Sequence, residues 1–202
     1  MMLTSRKPRP LDKKTHFRNP RLVIIAAEGK KTEKQYFQLF QDSRIQVKVL
    51  ATGEDNLSAP EYVLERLQQF RDEYELAADD ELWLMLDVDR WGSKKLKAIA
   101  QESKQAGFGL AISNPCFEVW LLCHLQIPPN NMEKCCDVAT VLRQASGGSY
   151  NKSNLDCAFY ADKIHQALQT AKNHDPDPQA RWPNDVGTHV YRLVNRLGTE
   201  IK

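Results

Sequence analysis

The sequence predicts an α/β domain, a mostly parallel sheet flanked by helices, with a helical elaboration towards its C-terminal end. Three observations carry that prediction. Between Arg21 and His124, short apolar runs alternate with segments of helical periodicity, strand then helix, four times over. Two of the apolar runs stop abruptly at carboxylates: Leu22 to Ala27 at Glu28, and Leu82 to Leu86 at Asp87 and Asp89. The composition, 42% hydrophobic and 27% charged over 202 residues, is that of a globular protein with ample chain for a core.

Each element has its own reason. Leu22-Val23-Ile24-Ile25-Ala26-Ala27 is apolar and rich in β-branched residues, and Gly29 follows as a breaker, which reads as a strand buried on both faces. Thr32 is a suitable N-cap for a helix through Glu33, Tyr36, Phe37 and Phe40. Ile45 to Leu50 alternates apolar and polar residues, as a half-buried edge strand does. Ser58-Ala59-Pro60 opens a helix that lines up Val63, Leu67, Phe70 and Tyr74. Leu82 to Leu86 is the central strand. Lys94 to Gln105 is a helix with Leu96, Ile99 and Ala100 on its buried side, ended by Gly107, and Phe108 to Ile112 is the next strand. Asn114 is a plausible N-cap for a buried helix from Cys116 to His124. Beyond the linker Ile127 to Asn131, helices are expected over Met132 to Ala145, Leu155 to Asn173 and a short terminal stretch through Val194 and Leu197. The flexible turn from Ser146 to Ser149 carries Tyr150, Lys152 and Ser153. The division this predicts is a basic arm, residues 1–20, and one domain, residues 21–202, with its core over about 21–126 and its helical extension over about 127–202.

The net charge of +2 predicts no partner, but its distribution is uneven. Arg6, Lys7, Arg9, Lys13, Lys14, Arg18 and Arg21 face a single acid, Asp12, in the first 21 residues. Such an arm, interrupted by Pro8, Pro10 and Pro20, reads as flexible or loosely attached; it either binds phosphate backbones or is a solvated tail. Five cysteines with no CxxC pair, no signal peptide and no bilayer-length apolar run point to a reducing cytoplasm and to no membrane partner. Cys116, Cys123 and His124 match no structural zinc spacing.

The chemistry concentrates at strand ends. In a strand, Asp87 and Asp89 project from the same face. Two ionised carboxylates side by side repel, and a hard divalent cation such as Mg2+ or Mn2+ relieves that repulsion. The alternative is that they cap the next helix or face water. Lys30, Lys31 and Lys34 crowd a helix start, where the dipole disfavours cations, so an anion docking there would explain them; pairing with Glu28, Asp87 and Asp89 would explain them as well. Glu118 either satisfies the dipole of its helix or joins those acids. In open parallel sheets, functional groups gather beyond the carboxyl ends of the strands, where all four acids fall.

Glu28-Gly29-Lys30-Lys31-Thr32-Glu33 with Tyr36-Phe37, then Asp87-Val88-Asp89-Arg90, then Ser113-Asn114-Pro115-Cys116-Phe117-Glu118-Val119-Trp120-Leu121-Leu122, in that order, resemble the RloB-like family. So does the late segment Val186-Gly187-Thr188-His189-Val190-Tyr191-Arg192-Leu193-Val194. The likeness runs from about Pro20 to Leu197. It implies a Toprim-like (Rossmann-like) fold, shared with topoisomerases, primases and overcoming-lysogenization-defect nucleases. It also implies an association with restriction and phage defence beside an ATPase of the ABC or AAA type. By the resemblance Glu28 is the strand-end general acid or base, and Asp87 and Asp89 hold Mg2+, with Glu118 as a supporting ligand. Two positions depart from the pattern: Trp91 stands where many Toprim enzymes carry a third acid, and Lys30 where related sequences often have an acid.

The function expected is Mg2+-dependent (or Mn2+-dependent) phosphodiester cleavage of DNA or RNA, tRNA included, by the effector of a defence or restriction system with a partner ATPase. Lys30, Lys31, Arg90 and His189 are the candidate phosphate contacts. The alternative is a catalytically inactive Toprim-like subunit that binds nucleic acid or the ATPase; a nucleotidyl-transferase or primase-like activity is a third option on the same fold. A homo-oligomer is compatible with either.

Overall fold

The computed structural model describes residues 7–10, 20–42, 44–53, 57–88 and 91–198. Its sheet is built from β1 (Arg21–Ala27), β2 (Ile45–Leu50), β3 (Glu81–Asp87), β4 (Gly109–Asn114) and β5 (Gly187–Thr188). The spatial order is β2-β1-β3-β4-β5, with β1 to β4 parallel and β5 antiparallel to β4. The helices are α1 (Thr32–Tyr36, continued as a 3-10 turn over Phe37–Phe40), α2 (Pro60–Glu73), α3 (Ser93–Gln105), α4 (Glu118–Cys123), α5 (Cys135–Ala145), α6 (Cys157–Ala161), α7 (Ile164–Asn173) and α8 (Val190–Leu197). This is the mixed α/β architecture that the alternation of elements predicts, and it is consistent with the Toprim-like fold that the resemblance implies.

The side-chain period of two divides the strands between two cores. Leu22, Ile24 and Ala26 pack with Leu84, Leu86 and Ile112 beneath α2 and α3. Val23, Ile25 and Ala27 pack with Met85 and Ala111 beneath Tyr36, Phe37 and the helices α4, α5, α7 and α8. In α2, Val63, Leu64, Leu67 and Phe70 are buried, each worth roughly 1.5–3 kcal/mol of apolar transfer. α3 buries Leu96, Ile99 and Ala100, and Gly107 takes the positive φ of 77° just beyond its end.

The structure redraws several local expectations. Thr32 is the first residue of α1 rather than its cap, and its hydroxyl donates to the Lys152 carbonyl at 3.0 Å. Asn114 does not cap α4. It ends β4 before a cis peptide to Pro115, its side-chain amide donates to the carbonyls of Pro183 and Asn184, and α4 begins only at Glu118. α5 starts at Cys135 rather than Met132, and the stretch expected as one helix from Leu155 is two, α6 and α7. The part of the basic arm that is described, residues 7–10, is attached rather than loose. Arg9 pairs with Asp80 at 3.1 Å and the Pro8 carbonyl accepts the Glu75 amide, because Asp80 at the entry to β3 is a buried carboxylate that a guanidinium can satisfy. Among the described residues, no helix is long and apolar enough to cross a membrane.

Candidate active site

Strand order brings Glu28 and Asp87 together. Ala27 of β1 lies in register with Met85 of β3, so the residue after β1 meets the end of β3. Glu28 is almost fully buried and its Oε2 accepts from the Asp87 amide at 3.3 Å and from the Trp91 indole N–H at 3.0 Å. Its backbone is fixed as well: the carbonyl accepts from Thr52 Oγ1 at 2.7 Å, and Arg66 holds the preceding carbonyl of Ala27 at 2.8 Å. Asp87, half-buried at the end of β3, accepts the Phe117 amide on Oδ1 at 2.9 Å. The entry to α4 is thereby tied to the end of β3, and the Val88 amide donates to the carbonyls of Ser113 and Pro115 beside it.

Glu118, the first residue of α4, is 3% exposed and makes no capping hydrogen bond at the start of its helix. Oε1 accepts from Tyr150 Oη at 2.9 Å and from Lys152 Nζ at 2.8 Å, and Cys135 Sγ lies 3.7 Å from Oε2. Its charge is also felt by Glu33, whose pKa it raises. The Tyr150 hydroxyl is held above its ordinary pKa by burial and by Glu118. Partial desolvation works against the charge on Lys152, but Glu118, Glu33 and Asp87 outweigh it and raise its pKa.

Glu33 is the residue the sequence did not disclose as part of the site. It lies in the first turn of α1, 5% exposed, and its pKa is pushed up from 4.5 to about 7. Burial is the chief cause; Glu118 and Glu28 add to it, against its own backbone hydrogen bond and Lys152. Gly29 makes the close approach feasible, since a Cβ there would fall 2.1 Å from Glu33 Oε2. These groups border a cavity of about 560 Å³ lined by the 28–33 turn, Thr52, Ser58, Asp87, Cys135, Lys152 and Ser153. The wall that carries Lys152 is pinned to α1, where Gln35 donates to the Ser153 carbonyl at 3.2 Å and accepts the Leu155 amide.

Of the residues expected at the site, the structure gathers Glu28, Asp87, Lys30 and Lys31 on the cavity, with Glu118 buried behind Lys152. Asp89 and Arg90 lie outside the described residues. His189 is not at the cavity and is not placed to touch phosphate. It is fully buried, with Nε2 3.1 Å from Asp175 Oδ2 and 3.0 Å from Arg192 Nη2. The neighbouring β5 pairing, Thr188 with Ser113, draws it inward, and its amide donates to the Ile112 carbonyl.

The cysteines depart from the all-free reading. Cys116 and Cys135 are joined in a disulfide, while Cys123, Cys136 and Cys157 are free thiols. His124, which the sequence set beside Cys116 and Cys123, is occupied otherwise: Nδ1 donates to the Trp120 carbonyl and Nε2 accepts from Tyr36 Oη at 3.0 Å. Cys116, Glu118 and Cys135 do form a group whose ligand atoms all lie within 4.8 Å of one another, close enough to hold a metal ion.

Fold and strand-end acids together define an α/β protein of the Toprim-like kind with an acidic site at the carboxyl edge of its sheet. The family model for RloB-like protein matches residues 23–197, and the chain belongs to the RloB-like family. No curated protein matches it, and no solved structure does.

Proposed function

We propose that this chain is a Mg2+-dependent (or Mn2+-dependent) nuclease that cleaves phosphodiester bonds of DNA or RNA, tRNA among the candidates, as the effector of a defence or restriction system licensed by a partner ATPase. The observation that supports this reading is the gathering of Glu28, Glu33 and Asp87 on one cavity at the sheet edge, where burial, with Glu118 and Glu28 adding to it, raises the Glu33 pKa to about 7. The oxygen donors of Glu28 and Asp87 suit a hard divalent cation, with Asp89 as a further candidate ligand and Glu118 in support. Such an ion, when bound, supplies charge stabilisation for the transferring phosphoryl group. The chain's own residues do the rest. Glu28, fixed by the Asp87 amide and the Trp91 indole, moves the proton of the attacking or leaving oxygen; Lys30, Lys31 and Lys152 on the cavity wall, with Arg90, take the phosphate. His189 is withdrawn from that set.

The test is cleavage of labelled tRNA, single-stranded DNA and duplex DNA with Mg2+ or Mn2+, wild type beside Asp87→Asn, each with and without any neighbouring ATPase. Metal-dependent cutting by the wild type alone supports the proposal and names the substrate class; equal cutting by the variant sinks it.

One observation favours a second reading. Trp91 occupies the position of a third acid, and its indole N–H is spent on Glu28. In that reading the chain is a non-catalytic Toprim-like subunit that binds nucleic acid or the ATPase. No cleavage under any condition, together with partner binding that survives Asp87→Asn, would select it.

A further inference from the structure

The Cys116–Cys135 pair lies at the border of the cavity, yet the cleavage reading makes no use of it. Cys116 is fully buried just before α4, and Cys135 opens α5 and lines the cavity wall. Between them in the fold is Glu118, whose Oε1 is committed to Tyr150 and Lys152 and whose Oε2 is 3.7 Å from Cys135 Sγ. A disulfide sulfur carries no proton, so in the oxidised chain that approach is a contact and not a hydrogen bond.

Reduction changes the chemistry of the spot. Two thiols then share a desolvated corner with a carboxylate oxygen, at positions that in the oxidised chain lie within 4.8 Å of one another. Two thiolates and a carboxylate left there without a cation would repel strongly, and a borderline-soft divalent ion that prefers sulfur ligands removes the conflict. Geometry permits it. A tetrahedral ion about 2.3 Å from each sulfur holds the two sulfurs roughly 3.8 Å apart. The Cα atoms of Cys116 and Cys135, 5.7 Å apart, can supply that spacing by side-chain rotation. The side on which Cys135 meets the cavity leaves a fourth position for water.

We propose that Cys116, Cys135 and Glu118 form a redox-gated Zn2+ site: closed as a disulfide in the oxidised chain, open to Zn2+ in the reduced one. The balance is simple. A dithiol reductant passes two electrons and two protons to the disulfide and is itself oxidised to a disulfide; Zn2+ then displaces the two thiol protons. Because Lys152 and Tyr150 bind the other oxygen of Glu118, the ion can take Oε2 without releasing the 149–155 wall. The site differs from the hard, all-oxygen set at Glu28 and Asp87 in its two sulfur ligands, and Glu118 is the residue the two would share.

The experiment uses the full chain and Co2+ as a spectroscopic probe for Zn2+, so it does not depend on cleavage. After treatment with a dithiol under anaerobic conditions, the protein is expected to bind one Co2+ with a thiolate-to-metal charge-transfer absorption, which Zn2+ abolishes by displacement. After oxidation, alkylation and mass spectrometry should count three free thiols, Cys123, Cys136 and Cys157, and the absorption should be absent. Cys135→Ser should lose the absorption, Cys136→Ser should retain it, and Glu118→Gln should keep it with affinity reduced roughly 10–100-fold. The proposal is overturned if the reduced wild type shows no such absorption, if Cys135→Ser retains it, or if five thiols are alkylated after oxidation. Cys135 is preferred to the fully buried Cys116 because its replacement leaves the core intact, and circular dichroism of each variant identifies any that fails to fold.

Discussion

Among the described residues, two clusters of ionisable side chains differ in their surroundings, one enclosed and one beside a cavity. Around α8, Asp175 is matched group for group: Tyr191 Oη donates to Oδ2 at 2.8 Å, the Asp177 amide donates to Oδ1, and His189 and Arg192 close the remaining side. At the carboxyl edge of β1 and β3, Glu28, Glu33 and Asp87 line a cavity, with Glu118 buried behind Lys152. The first arrangement is what a buried carboxylate needs in order to be tolerated. The second puts carboxylates on a cavity that a ligand can enter, one of them Glu33 with its pKa pushed up to about 7, and perturbed acids of that kind mark candidate sites.

The two clusters must therefore respond differently when broken. The largest effect expected is on cleavage. Asp87→Asn removes a carboxylate from the open cluster and should lower metal-dependent cutting by roughly 10²–10³-fold. The Asn side chain can still accept the Phe117 amide, so circular dichroism of the variant should show the fold intact.

The next effect is on stability and depends on pH. Glu33 has a folded pKa of about 7 against an unfolded value of 4.5. Its contribution is fully present below pH 4.5 and is lost as pH rises through about 7. The difference amounts to about 3 kcal/mol for so desolvated a group. Glu33→Gln should accordingly be more stable than the wild type at pH 8, by something near that amount, with the gap shrinking as pH is lowered to 4.5. Urea unfolding at a series of pH values reads it; a gap that does not change with pH would refute the buried protonated carboxyl.

The closed cluster has the opposite sign. Burial, with Arg192 adding to it, holds His189 below its ordinary pKa despite Asp175. Burial also takes His124 down to about 4. A base depressed in the folded state contributes stability above its unfolded pKa of about 6.5 that is lost as pH falls towards the folded value. In Glu33→Gln, where the competing trend is removed, stability should therefore fall as pH drops below about 6.5. Asp175→Asn should cost about 1–3 kcal/mol at pH 7 by breaking matched hydrogen bonds, with cleavage per folded molecule unchanged. A loss of cutting without a loss of stability would mean that the closed cluster serves the site after all.

How much of this the chain discloses in advance depends on how local the cause is. β1, β3 and β4 announce themselves as apolar runs, and Glu28 and Asp87 by ending two of them. β5 does not, because two residues, Gly187 and Thr188, have no period to read; it exists only because Ser113 and Asn114 offer it an edge. The fate of His189 follows from that pairing and was hidden with it. Glu33 and Lys152 were missed for a related reason. Their meaning rests on contacts across more than a hundred residues, such as Thr32 with the Lys152 carbonyl, and no local pattern encodes them. The spacing from Glu28 to Glu33 across a strand–helix turn was the one available signal. The disulfide was equally invisible, since a separation of 19 residues implies nothing about distance in space.

The smallest effect on stability should come from Gly29→Ala, and it probes the open cluster most directly. Gly29 is not required here for its backbone angles; it is required because Glu33 Oε2 occupies the place of a Cβ. The obstructing atoms are the end of a flexible side chain, which can turn aside towards the cavity, so stability at pH 5 should change by only about 0.5–1 kcal/mol. What should change is the proton. A Glu33 carboxyl pushed towards water is less desolvated, so the stability loss between pH 4.5 and 7 should become shallower than in the wild type. An unaltered pH profile in Gly29→Ala would show that Glu33 owes its proton to Glu118 and Glu28 rather than to burial.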